Sequence, residues 1–207
     1  MLCCIAHDNP QEAIRATIEA LNAGNVVAYP TETFYGLGVR YDNADALRRL
    51  YDLKNRPANK PFPLIIGHRH QLNALVRGIT DLHIQLMSSH WPGPLTVLFE
   101  AADGLSPYIV GANGKVAIRL PAESFALELA RSAAFAITAT SANPSGMPPP
   151  TMASEVLSYF GSGIDVLIDG GTTSGGLPST LVDVTEGTLK ILRQGRVQLK
   201  KEEGGGL

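Results

Sequence analysis

The residues of this chain that could do chemistry lie in short polar loops, each carrying a cation or a hydroxyl: Thr31 and Thr33; Lys54 and Arg56 with Lys60; Arg119; Ser141 and Asn143; Ser179 and Thr180; and Arg193. Converging, such loops would form an anion cradle. Arginine offers a fixed fork of donors and lysine a point charge, so Lys54 and Arg56 beside a proline-stiffened turn suit a polyphosphate. Taken alone, the same pair also reads as a solvated surface loop. Ser141 and Asn143 equally suit a turn, because Asn-Pro and Ser-Gly pairs are common turn formers. Arg119 is different: it ends a run of Val116, Ala117 and Ile118, and a charge there needs an anionic partner or water. Several standard signatures are missing: no Walker-type phosphate loop, no Gly-x-Ser-x-Gly, no Gly-x-Gly-x-x-Gly and no His-Glu-x-x-His. The only cysteines, Cys3 and Cys4, are adjacent, which disfavours an ordinary disulfide or a metal site and fits thiols in a first strand.

Alternating helices and strands must position these loops. Asn9-Pro10, with Glu12 three residues after Asn9, predicts a capped helix bearing Ile14, Ile18 and Leu21 on one face and ending at Gly24. The apolar run 26–29 reads as a buried strand that breaks at Pro30 into a turn-rich loop through Gly38. A helix around Ala46 to Tyr51 runs into Lys54-Asn55-Arg56-Pro57, where proline forces Arg56 out of helical geometry and an exposed loop is expected. Further strands are expected at 64–66, 95–100, 116–119, 135–140 and 166–168, with helices around 72–76, 79–87, 125–131 and from Thr151 to Phe160. Residues 181–184 and 189–192 read as a terminal hairpin. The polar clusters repeatedly sit just past strand ends.

Composition sets the class. The chain has 207 residues, 44% hydrophobic and 17% charged, with 21 glycines and 14 prolines, the profile of a soluble globular protein. A net charge of −2 supplies no global positive field for nucleic acid, so any phosphate or RNA site must be a local patch. No apolar run approaches the roughly 18 to 20 residues of a membrane helix, and no signal-peptide pattern opens the chain, so a cytoplasmic protein without membrane partners is expected. One mixed α/β domain over residues 1–199 is favoured, followed by a glycine-rich tail, 200–207, expected to be disordered.

Several pieces stand in one order: Pro30-Thr31-Glu32-Thr33 with Tyr35-Gly36-Leu37-Gly38, Lys54-x-Arg56-Pro57, Trp91-Pro92-Gly93-Pro94-Leu95-Thr96, Val116 to Pro121, Ser141-Ala142-Asn143, Ser179-Thr180 and Leu192-Arg193-x-Gly195. Together they resemble the YrdC/TsaC family over roughly residues 10 to 197. The resemblance implies a twisted mixed β-sheet with surrounding helices and a concave basic cavity. It also implies an L-threonylcarbamoyladenylate synthase, which joins L-threonine, bicarbonate and ATP and releases pyrophosphate. Other tRNA-modification proteins then pass the threonylcarbamoyl group to tRNA. By this resemblance Lys54, Arg56, Ser141 and Asn143 form the catalytic tetrad on the nucleotide phosphates. Lys60 and Arg193 join Arg56 and Ser141 on the ATP side, while Thr33, Arg119 and Ser179 hold threonine or its carbamate. Mg2+ is expected to arrive with ATP, since no carboxylate cluster suggests a dedicated cage. One departure is visible: family members often carry a histidine after the Lys-x-Arg loop, and here His68 lies three residues too late and receives no role. Rival readings are a double-stranded RNA or tRNA-binding module and a relative serving another carbamoyl-transfer pathway.

Overall fold

The computed structural model describes residues 2–5, 9–57 and 60–199. The tail 200–207 lies outside the described residues. The architecture is mixed α/β, with two sheets of mixed strand direction and five α-helices among the described residues. None of those helices is long and apolar enough to cross a membrane.

The first sheet runs, from edge to edge, β1 (Leu2–Ile5), β9 (Val166–Asp169), β2 (Val27–Pro30), β3 (Tyr35–Gly38) and β8 (Thr140–Ser141). Cys3 and Cys4 fall in β1, paired in parallel register with Leu167 and Ile168 of β9. The second sheet runs β11 (Lys190–Arg193), β10 (Thr180–Asp183), β5 (Leu95–Glu100), β6 (Lys115–Arg119), β4 (Leu64–Ile65) and β7 (Ile137–Thr138). The expected terminal hairpin is β10 antiparallel to β11.

Helix α1 (Pro10–Asn22) starts as its sequence dictates: Asn9 Oδ1 accepts the Glu12 amide at 3.2 Å, Pro10 occupies the first turn, and Gly24 leaves with φ of +80°. Its buried face packs with α4 (Phe125–Ala133) over β2, enclosing a core of Leu21, Val27, Tyr29, Leu129, Ile137 and Ile168. The larger core lies between the sheets and α2 (Ala44–Leu53), α3 (Asp81–His90) and α5 (Ala153–Phe160), and includes Leu47, Leu50, Phe62, Val97, Phe99, Ile118 and Val156. The helix expected around 72–76 is instead a 3-10 segment, Arg69–Ala74, which His68 precedes.

Two departures from the sequence reading create the site. The turn after Pro30 lasts only four residues, and the chain re-enters the sheet as β3, pairing Tyr35 with Pro30 and Gly38 with Val27. Gly38 makes this possible: a Cβ there would stand 2.7 Å from Ile137 and 2.8 Å from the Thr138 carbonyl oxygen. The run 135–140, expected as one strand, divides between the sheets, β7 in the second and β8 in the first. At the seam Thr138 donates its amide to Val39 (3.0 Å), Ala139 to Pro63 (2.8 Å) and Ala142 to Tyr35 (2.8 Å). One stretch of chain therefore stitches both sheets together, and the polar cluster at Ser141 leaves from that seam.

Candidate active site

A cavity of about 630 Å³ opens where the sheets meet. Its floor is β6. Strand alternation sends Val116 and Ile118 into the core and presents Lys115, Ala117 and Arg119 to the cavity. The walls come from the β2–β3 turn (Thr31, Thr33), the segment after α2 (Arg56, Lys60), the seam (Ala139, Thr140, Ser141) and the terminal hairpin (Ser179, Arg193). Seven of the nine residues proposed from sequence thus line one space: Thr33, Arg56, Lys60, Arg119, Ser141, Ser179 and Arg193.

Lys54 and Asn143 stand behind that wall. The loop expected to be exposed holds Lys54 only 2% exposed, because Asn55 takes a left-handed conformation (φ 46°) that turns the chain sharply after α2. Lys54 Nζ donates to the carbonyls of Ser141 and Asn143, each at 2.5 Å. Burial first, and the like charge of Arg56 second, pull its pKa down to about 7. Asn143 donates its amide to the carbonyls of Pro144 (3.0 Å) and Met147 (2.6 Å), while its Oδ1 is buried with no partner among the described residues. These two residues brace the seam loop from beneath, rather than facing the cavity as the polyphosphate reading expected.

Arg56 is fixed by neutral groups. It donates to the carbonyls of Lys60 (2.6 Å) and Pro61 (2.9 Å) and to Thr140 Oγ1 (3.2 Å), with its guanidinium over the Phe62 ring at 4.7 Å. Arg193 likewise donates to the Ser179 carbonyl (2.9 and 3.1 Å) and Ser179 Oγ (3.1 Å). The hairpin can approach that closely because Gly195 lies against Pro178, whose carbonyl oxygen would stand 2.2 Å from any Cβ. Burial lowers the pKa of both arginines, and each also feels a like charge, Arg56 that of Arg193 and Arg193 that of Arg119. Among the described residues, Arg56, Lys60 and Arg193 form no ion pair with a carboxylate.

The two cations on the β6 floor are matched. Arg119 Nη1 donates to Glu32 Oε1 at 2.5 Å, with side chains 10% and 9% exposed. Lys115 Nζ donates to Asp183 Oδ2 at 2.8 Å. Its hydrogen bond to Asp183 raises the Lys115 pKa; for Asp183, bonds from Lys115 and Thr185 outweigh the opposing effect of burial and leave it lowered. Thr33 Oγ1 sits 3.2 Å from Thr31 Oγ1, and Ser179 Oγ 2.9 Å from Thr96 Oγ1. His68 stacks on His70 at 5.3 Å, outside the residues that line the cavity.

Sequence reading missed Lys115, Asn113 and Thr96 on the lining, and Glu32 behind it. For Lys115 the signal was present, since period-two alternation from Arg119 places it on the same strand face. Glu32 became significant only once the β2–β3 turn was seen to face β6.

The family model Sua5/yciO/yrdC, described as telomere recombination, matches residues 19–195. The chain belongs to this family. It is 38% identical over 92% of its length to a threonylcarbamoyl-AMP synthase of Pyrococcus abyssi, of which it spans 56%. A threonylcarbamoyl-AMP synthase of Thiobacillus denitrificans is 40% identical over 84% of this chain and 90% of that protein. The crystal structure of P. abyssi Sua5 complexed with L-threonine superposes with a TM-score of 0.87 at 36% identity, covering 94% of this chain and 57% of that one. The chain thus spans just over half the length of the Pyrococcus relative, and the family match over residues 19–195 takes in every residue that lines the cavity.

Proposed function

We propose that this chain forms L-threonylcarbamoyladenylate from L-threonine, bicarbonate and ATP, releasing pyrophosphate. The observation that carries the reading is the uneven charge of one cavity: three cations without a carboxylate partner on its walls, and an arginine with donors to spare on the floor. Arg56, Lys60 and Arg193 suit a polyphosphate. Arg119 spends Nη1 on Glu32, leaving Nε and Nη2 to take the carboxylate of an amino acid in a forked contact. The naming of the Pyrococcus and Thiobacillus relatives supports the same assignment.

In this reaction the threonine amine adds to carbon dioxide and gives up a proton, or adds to bicarbonate with loss of water, giving a carbamate. A carbamate oxygen then attacks the α-phosphorus of ATP, and the bond to the β-phosphate oxygen breaks as pyrophosphate leaves. No side-chain nucleophile is required. The protein aligns two bound substrates and offsets charge gathering on the leaving group, tasks suited to fixed guanidinium groups. Thr33, Ser141 and Ser179 supply hydroxyls along the path between the two ends. Lys54 and Asn143 act by holding the Ser141 loop in place. Magnesium would enter as part of the ATP substrate, held by phosphates and water. Other proteins would carry the threonylcarbamoyl group onward to tRNA, and RNA touching this chain would meet the same cations and be displaced by ATP.

The test is incubation with ATP, bicarbonate and each amino acid in turn, followed by mass detection. A threonylcarbamoyl-AMP product that requires all three substrates is expected. An adenylate formed equally from other amino acids would overturn the threonine assignment, and RNA binding that survives saturating ATP in a chain making no adenylate would favour the RNA module.

A further inference from the structure

The β6 floor carries two cations, and each is cancelled by a carboxylate from another strand or turn. Lys115 is tied to Asp183 of β10, and Arg119 to Glu32 of the β2–β3 turn. The remaining cavity cations, Arg56, Lys60 and Arg193, lack such partners among the described residues. Uncancelled positive charge therefore comes from the walls, the segment after α2 and the terminal hairpin, and not from the floor of a space large enough for two substrates. An uncancelled Arg119 would be a second attractive seat for a phosphate, competing with the amino acid for the same fork.

Glu32 is placed to prevent this. Its side chain is nine-tenths buried, one oxygen accepts Arg119 Nη1 at 2.5 Å, and the other, Oε2, is buried with no hydrogen-bond partner among the described residues. A buried carboxylate oxygen without a donor is costly and calls for an explanation beyond packing. The backbone around it is held firmly: the Glu32 carbonyl accepts Ser174 Oγ at 2.7 Å, and Arg196 donates to the same hydroxyl at 2.7 Å. On either side of it in sequence, Thr31 and Thr33 line the cavity.

We infer that Glu32 is a positioning and specificity-determining residue: it fixes the Arg119 fork toward an amino-acid carboxylate and, by cancelling the arginine's charge, keeps phosphate groups out of the amino-acid end. The inference rests on the proposed threonine reading of that end. It requires no proton transfer and no chemistry at Glu32 itself. Glu32→Gln is the sharpest probe, because the amide keeps the size and one acceptor oxygen while removing the charge.

Calorimetric titration of the whole chain with L-threonine, with and without inorganic phosphate, tests the inference, alongside a thermal melt of each variant. For the wild-type chain, threonine affinity should be indifferent to phosphate. For Glu32→Gln it should fall about tenfold, the scale of one charged hydrogen bond, and fall further as phosphate is added. A variant that lost affinity only through general loosening would not acquire phosphate competition. Glu32→Asp restores the charge on a shorter arm, and should recover phosphate exclusion while leaving threonine affinity reduced. That variant also decides the matter should Glu32→Gln fail to fold. Phosphate competition in the wild type or in Glu32→Asp, or its absence in folded Glu32→Gln, would overturn the inference. A wild-type chain that binds no threonine under any condition would instead overturn the substrate reading on which it rests.

Discussion

The walls of the cavity and its β6 floor are built from the same side-chain types in opposite ways. On the walls, the guanidinium groups of Arg56 and Arg193 are held by backbone carbonyls and hydroxyls, which orient them without neutralising them. On the floor, Arg119 and Lys115 are held by carboxylates, which orient and neutralise together. The lesson is that counting cations around a pocket does not locate an anion: what matters is which of them keep an uncompensated charge. On the proposed function, the polyphosphate would sit where carbonyls do the holding, and a zwitterion with one carboxylate where Glu32 has already balanced the arginine.

Breaking the floor pair should produce the largest effect. Arg119→Leu strands the buried Glu32 carboxylate, so we expect a stability loss of about 3–5 kcal/mol in denaturant titration, together with a threonine requirement raised far more than the ATP requirement. If only the ATP requirement rises, Arg119 serves the nucleotide and the two sides have been exchanged. On the other side, Arg56→Ala removes a charge that no carboxylate balances. It should raise the KM for ATP by roughly ten- to a hundredfold, the worth of a charged hydrogen bond, while the KM for threonine stays near its wild-type value. Steady-state kinetics with each substrate varied in turn would show whether the effects separate as described.

Lys54 sharpens the contrast, because it is a buried cation outside the cavity lining. Lys54→Met leaves the carbonyls of Ser141 and Asn143 without their donor, and should cost about 1–2 kcal/mol of stability along with activity. Its activity loss should spread over both substrates, since the seam loop serves both. A Lys54→Met chain of wild-type stability that loses ATP affinity alone would return the ammonium to the phosphates.

The smallest effect is the pH dependence from the same residue. The folded pKa of Lys54, about 7, lies below its ordinary value of 10.5, so between those values the folded chain binds fewer protons than the unfolded one. This group's contribution therefore makes stability rise with pH across that window. A neutral amine still carries two N–H donors, enough for both carbonyls. Melting curves at pH 7 to 9 should show this upward contribution in the wild type and not in Lys54→Met. Parallel pH profiles for the two would show that Lys54 keeps its ordinary pKa.

Much of this was legible in the residues themselves. Asn9-Pro10 with Glu12, the run 95–100 and the 181–192 hairpin carry local signals of capping, alternation and turn chemistry, and the structure follows them. The return of the chain as β3 and the division of 135–140 between two sheets were not legible. Both depend on a long-range fit, Gly38 against Ile137 and Thr138, that no local pattern contains. The same holds for the site. Loop cations and hydroxyls could be picked out one by one, and seven of nine line a single cavity. The burial of Lys54 and the Glu32–Arg119 pair arise from contacts 87 positions apart in the sequence.

The division of charge within the cavity can be measured most directly with pyrophosphate, which carries the charge of the departing group and none of the amino acid's features. Binding of ATP and of L-threonine would each be titrated calorimetrically against the wild-type chain at rising pyrophosphate concentration. Pyrophosphate should compete with ATP, seated on Arg56, Lys60 and Arg193, and leave threonine affinity unchanged. Competition with threonine and not with ATP would contradict the account, placing the uncompensated charge at Arg119.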